Sequence, residues 1–287
     1  FYFTTYWKQV MNDCKIAFLG AGNMAFSLIG GLTASGFDPK YIHVADSEPL
    51  RLTTLTKTHS VLTFDNNYEA IQSCDVIIAA VKPHQLQGLI KQLSSHWKPG
   101  TLLISIAAGI RLDDLERWLN QPDSAIVRTM PNMPALIQAG ATALYANPHV
   151  TATQHELADF ILRSVGLTLW VNDEAQIDAV TALSGSGPAY FFFVMEAMEA
   201  AAIKLGLDAE TAQLLCLQTA FGSAKMALES DDSTASLRAR VTSPDGTTER
   251  AINELEDGGL PGLFENAMTA AALRSRELAN QLGEDHA

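Results

Sequence analysis

Short apolar runs rich in β-branched residues recur along the first 172 residues, each separated from the next by a helix-length stretch. Ile16–Leu19, Ile42–Ala45, Val61–Thr63, Val76–Ala80, Leu102–Ile106 and Ala125–Arg128 are the predicted strands. Strands alternating with helical patterns are the mark of βαβ units on a parallel sheet. Two further strands, Thr142–Tyr145 and Thr168–Val171, read as a hairpin-like pair flanking a helix around 153–164. From Asp173 onward strand signals stop, and helices are predicted at 174–183, 187–205, 208–230, 247–257 and 261–281. The expected division is therefore 11–172 and 173–287, with Asn172 or Asp173 able to cap the first long helix. The later helices are rich in Ala and Met. That pattern fits a face buried against a second subunit, and equally an internal bundle core.

Gly20-Ala-Gly22-Asn-Met-Ala25 follows the first strand and opens a helix running toward Ser35. Glycines in this place permit a tight turn and close approach of a pyrophosphate, while the helix N-terminus offers it N–H groups. Ala25 stands at the third glycine position, which the pattern tolerates. A Rossmann-like doubly wound α/β domain followed by an all-α domain is the fold this predicts. At the end of the second strand, Asp46 can accept from a ribose 2′-hydroxyl and repel a 2′-phosphate, with Ser47 beside it. Asp46 or Ser47 can equally cap the helix that starts at Glu48-Pro49, and Arg51, one turn on, can reach a phosphate. Electrostatics at Asp46 lean to NADH; the cofactor is read as NADPH or NADH.

The net charge of −13 is unevenly placed: residues 1–172 carry 12 Lys+Arg against 13 Asp+Glu, and residues 173–287 carry 7 against 19. An acidic second half argues against nucleic acid or an anionic membrane as partner. No apolar run is long enough to span a bilayer; the richest, 189–202, is broken by Glu196 and Glu199. Cys14, Cys74 and Cys216 have no CxxC spacing and read as reduced thiols in a cytoplasmic protein. The seven histidines form no metal-binding pair and read as surface or satisfied residues, so no metal is expected. Residues 1–10 are aromatic, precede Met11, lack the core of a signal peptide, and read as an upstream extension.

Ser243-Pro244-Asp245-Gly246 is turn chemistry, and Thr247-Thr248-Glu249 reads as a helix start. Such a turn leaves N–H groups and a positive dipole end facing outward, a receptor for a small carboxylate, although a capped surface helix is written with the same letters. Together with Lys15–Met24, Ala80–Pro83, Ser105–Gly109, Arg128–Ala135 and Leu183–Tyr190, the segment Val241–Glu256 resembles the pyrroline-5-carboxylate reductases, in that family's order. The resemblance spans roughly residues 15 to 280.

The resemblance implies hydride reduction of a cyclic imine, 1-pyrroline-5-carboxylate, to L-proline. It implies that the Thr248 hydroxyl meets the substrate nitrogen, and that Ser243, Gly246, Thr247 and Thr248 hold the carboxylate. Glu174 matches a position near the active site, although an acid in a first helical turn is equally ordinary. Leu19, Gly20, Ala21, Gly22, Asn23, Met24, Asn67, Ala80, Val81, Lys82, Pro83, Ala107 and Ala108 match positions along the dinucleotide. The family also implies a dimer interleaved through the helical domain, and a decamer in some members. Two residues depart from its pattern: Asp245 stands where glycine is usual, and Met133 where a small or β-branched residue is usual.

Three other readings remain at this level. A β-hydroxyacid dehydrogenase wants a catalytic lysine in the helical half, where only Lys204 and Lys225 lie, neither after a Gly-rich helix opening. A reductase for a different imine has the same motifs. A non-catalytic dinucleotide-binding protein keeps the fold without turnover.

Overall fold

The structure, a computed structural model, describes residues 14–284; the reading of residues 1–10 lies outside them. Its sheet has eight strands: β1 (Ile16–Leu19), β2 (Ile42–Ala45), β3 (Leu62–Phe64), β4 (Val76–Ala79), β5 (Leu102–Ser105), β6 (Ala125–Met130), β7 (Gly140–Ala146) and β8 (Gly166–Trp170). Their spatial order is β3-β2-β1-β4-β5-β6-β7-β8. The first six are mutually parallel, and the order reverses between β1 and β4.

One expectation is corrected here. β7 and β8 are parallel neighbours, with Ala141 opposite Leu167 and Ala143 opposite Leu169, so they form no hairpin. The helix between them is a crossover, which brings the chain back to the same end of the sheet before the next strand begins. The antiparallel contact lies instead between β6 and β7.

Helices α1 (Asn23–Ala34), α2 (Pro49–His59), α3 (Asn67–Ile71), α4 (Pro83–Ser94), α5 (Leu112–Leu119) and α6 (Ala152–Arg163) cover both faces of the sheet. Successive strand residues point to opposite faces. Ile16, Phe18, Ile78, Ile104 and Val127 enter one layer with Leu28, Ile29 and Leu32 of α1 and Ile161 and Leu162 of α6. Ala17, Leu19, Ile77, Leu103 and Ile126 enter the other with Leu86, Ile90 and Leu93 of α4 and Leu115 and Trp118 of α5. Each large aliphatic side chain so buried contributes about 1.5–3 kcal/mol.

Packing divides the chain into two compact units, one running to Gly185 and resuming at Ala271, the other Ser186–Ala270. Composition changes at 172, whereas packing changes at 185, because short helix α7 (Gln176–Val180) and the π-helical turn Thr181–Gly185 are tied to the sheet-bearing unit. Asn132 donates to Ser184 O at 3.1 Å, and Ser275 Oγ donates to Asp178 Oδ1 at 2.7 Å.

The second unit holds α8 (Gly187–Lys204), α9 (Ala209–Glu229), α10 (Thr234–Arg240), α11 (Thr247–Asp257) and the first part of α12 (Leu260–Gly283). The short α10 was not predicted. It is capped by Ser233, whose hydroxyl accepts from Ser236 N, and seven residues give too little periodicity to read. Within this unit the buried apolar side chains are only Ala212 and Cys216. No described helix is long and apolar enough to cross a membrane.

Candidate active site

The first four residues after β1 open a cleft of about 860 Å³ at the C-terminal ends of the parallel strands, where an open sheet of this kind places its ligand. Gly20 makes the turn possible. Its φ is +105°, and a Cβ there would lie 2.5 Å from the carbonyl oxygen of Ala80. The tight approach is set by Ala80 N donating to Leu19 O and Gly20 N to Ala45 O, each at 2.8 Å. Gly22 is different: a Cβ on it would meet nothing within 4 Å, so its small size leaves room for a ligand and not for a protein neighbour. Gly22 is the N-cap of α1, without a side-chain cap and without an acid in the first turn. The orphan N–H groups of that turn therefore face the cleft with a positive dipole end, which fits a pyrophosphate.

Of the cofactor residues expected from the sequence, Gly20, Ala21, Gly22, Asn23, Asp46, Ser47, Asn67, Ala80, Val81 and Lys82 line this cleft. Leu19, Met24, Pro83, Ala107 and Ala108 do not. Leu19 is fully buried with its side chain in the sheet core, so only its backbone serves the turn. Ala107 is buried and gives its N–H to Ser105 Oγ at 3.4 Å, in the loop after β5. Sequence reasoning missed Phe26, Leu50, Thr54, His84 and Gln85 on the cleft wall. Each lies within the first turns of a helix that follows a flagged strand end, so extending the search by two turns would have found them.

Asp46 is committed inward. Its Oδ2 accepts from Ala21 N at 2.6 Å, its Oδ1 from Glu48 N at 2.8 Å, and Arg51 stands 3.5 Å away. It thus joins the glycine turn to the start of α2.

The histidine expectation needs one correction. His59 Nε2 is buried with no hydrogen-bond partner, and the ring packs edge-on to Phe26 at 5.0 Å. Burial lowers the pKa of this imidazole, so it favours the neutral form. All three cysteines are free and buried, and burial pushes the thiols of Cys14 and Cys74 up to about 12. Among the described residues no cluster of His, Cys, Asp or Glu could hold a metal ion.

Glu174 has an architectural engagement. Its Oε1 accepts from Arg128 at 2.7 Å and from Leu112 N at 2.8 Å. Arg128 is nearly fully buried on β6, so this carboxylate both balances a buried cation and caps the first turn of α5. Met133, exposed, opens the short 3-10 turn Met133–Ile137 after β6.

In the helical unit, Ser243–Gly246 forms a turn closed by Gly246 N donating to Ser243 O at 3.1 Å. Gly246 then caps α11, with no side chain on its first amides. A Cβ on Gly246 would lie 2.6 Å from Ser243 Oγ, so a larger residue would push the serine hydroxyl out of place. Asp245 takes a left-handed conformation with φ +57°, which explains why glycine is usual there, and its N–H is held by Glu249 Oε2 at 2.8 Å. Thr248 is half-buried and Thr247 exposed on the first turn of α11. The arrangement presents backbone and hydroxyl donors to a small anion.

Fold and cleft define a dinucleotide-dependent oxidoreductase with an α-helical second part, and comparison with known proteins agrees. Residues 15–109 match the family described as NADP oxidoreductase, coenzyme F420-dependent, and residues 174–278 match pyrroline-5-carboxylate reductase dimerisation. The chain is 50% identical to the pyrroline-5-carboxylate reductase of Pseudomonas aeruginosa, over 96% of this chain and the whole relative. It is 38% identical to that of Vibrio alginolyticus, over 93% of this chain and 98% of the relative. The structure of the Coxiella burnetii reductase superposes with a TM-score of 0.90 at 46% identity, covering 93% of this chain and 99% of that one. The chain belongs to the pyrroline-5-carboxylate reductases, NAD(P)H-dependent oxidoreductases acting on a C=N bond. The dimerisation match and the bare apolar helices agree that it self-associates.

Proposed function

We propose that this chain reduces 1-pyrroline-5-carboxylate to L-proline, the last step of proline formation, with Thr248 as the residue at the reacting nitrogen. The observation that carries the reading is the uncapped first turn of α11, where free amides and the Thr248 hydroxyl sit beside a turn that only Gly246 permits. The cofactor, NADPH or NADH, supplies the hydride when bound. Gly20–Asn23, Asn67 and Ala80–Lys82 would hold it in the cleft they line.

The chemistry asks little of side chains. As the imine carbon gains a hydride, its nitrogen must carry a proton or accept a hydrogen bond, so that the carbon is electrophilic. A hydroxyl suits both states, donating to an imine lone pair or accepting from an iminium N–H. Ser243, Gly246, Thr247 and Thr248 fix the carboxylate and thereby the face of the ring that is attacked; holding the reacting atoms supplies most of the rate. Glu174, through Arg128 and the start of α5, braces the sheet-bearing unit. The acidic second half repels an anionic substrate at long range, so local amides must supply its binding.

The assembly is a dimer through the helical unit, with a decamer as the larger form, and the protein works in the cytoplasm. Thr248→Ala should lower kcat about 100-fold while dinucleotide affinity changes less than twofold. The readout is the absorbance of the reduced nicotinamide with the five-membered imino acid. Undiminished turnover would remove Thr248 from the reaction.

A further inference from the structure

We propose that Arg51, and not Asp46, reads the 2′ position of the adenosine ribose, and that it turns this enzyme toward NADPH. The inference rests on the dinucleotide reading of the cleft. A carboxylate that selects NADH must present lone pairs to a ribose diol. Asp46 spends both oxygens on its own frame: Ala21 N–H at 2.6 Å and Glu48 N–H at 2.8 Å. Its side chain is only 8% exposed. Its charge is therefore used to lock the glycine turn to α2, and little of it faces the cleft.

Arg51 has the opposite character. Its side chain is 54% exposed, lines the cleft, and meets Asp46 at 3.5 Å through one nitrogen. A guanidinium has five N–H donors, so that single long contact leaves most of them for a ligand. Their planar fork matches a phosphate better than a hydroxyl. Ser47 and Asn67 line the same cleft and can donate to further phosphate oxygens, and Lys82 adds a second cation. Glu48, exposed on the cleft wall, opposes an anion there. Water screens it, whereas Arg51 can make direct charge-assisted bonds, and these are the stronger effect.

The test uses the full chain and two half-cofactor probes, 2′,5′-ADP and 5′-AMP, titrated by calorimetry against wild type, Arg51→Gln and Arg51→Lys. Wild type should bind 2′,5′-ADP about 10- to 100-fold more tightly than 5′-AMP, the range expected of a charge-assisted hydrogen bond. Arg51→Gln should erase most of that preference and Arg51→Lys keep part of it, and the NADPH-to-NADH ratio of kcat/KM should fall in the same order. If Arg51→Gln does not fold, Arg51→Lys alone should still lower the preference. Equal binding of the two probes by wild type, or a preference that survives both substitutions, overturns the role of Arg51 and leaves the cleft's assignment intact. Failure of either probe to bind at all overturns both.

Discussion

The two units of this molecule solve the burial problem in opposite ways. The sheet-bearing unit places strand residues alternately into two apolar layers, each closed by helices from the same chain. The helical unit closes almost nothing by itself. Phe191, Phe192 and Phe193 follow one another on α8 and are 67%, 60% and 71% exposed. Successive helix positions are about 100° apart, so that helix is bare over most of its circumference. A helix with so wide an apolar surface belongs in a protein interior, and here that interior has to come from another chain. A unit can thus be well formed in secondary structure and still lack a core, which makes its stability a matter of protein concentration.

The largest test of this contrast is Phe192→Asp with Phe193→Asp. Wild type should scatter light as at least twice the 31.0 kDa chain, and the double variant as a single chain or an aggregate. Leu62→Asp, on exposed edge strand β3, should leave the mass unchanged. A monomeric wild type would remove the contrast altogether. Effects inside the sheet-bearing unit should be graded. Glu174→Ala leaves the buried Arg128 without its carboxylate and Leu112 N without its cap, at a cost of about 2–3 kcal/mol in denaturant unfolding. Glu174→Gln, which keeps an acceptor, should recover part of it; a loss for Glu174→Ala under about 0.5 kcal/mol, the scale of an ordinary surface change, would make the pair ornamental. The smallest effect is a gain. Asp245→Gly relieves the left-handed strain at the turn before α11 and should stabilise the protein by about 1 kcal/mol. A destabilisation would mean that the aspartate makes a compensating contact.

Much of the molecule was readable in advance. Ile16–Leu19 and Ile42–Ala45 were placed to the residue, and α11 begins where Thr247 follows the Ser-Pro turn. The ten-residue tail before Met11 stays outside the described chain. The pairing of β7 with β8 was misread, because two short strands carry no mark of their relative direction. The link between Arg128 and Glu174, 46 residues apart, has no signature in either segment.

The sequence by itself determined where strands, turns and helix starts fall, since these rest on side-chain periodicity, steric freedom at glycine and capping within a few residues. It also placed the glycine turn that makes the cleft. Tertiary structure alone decided that Asp46, on the cleft wall, is tied to two backbone amides while Arg51 stays exposed there, and that the helical unit is left uncovered. Those outcomes depend on which distant N–H groups and side chains arrive beside a residue, and folding, not spacing along the chain, sets that company.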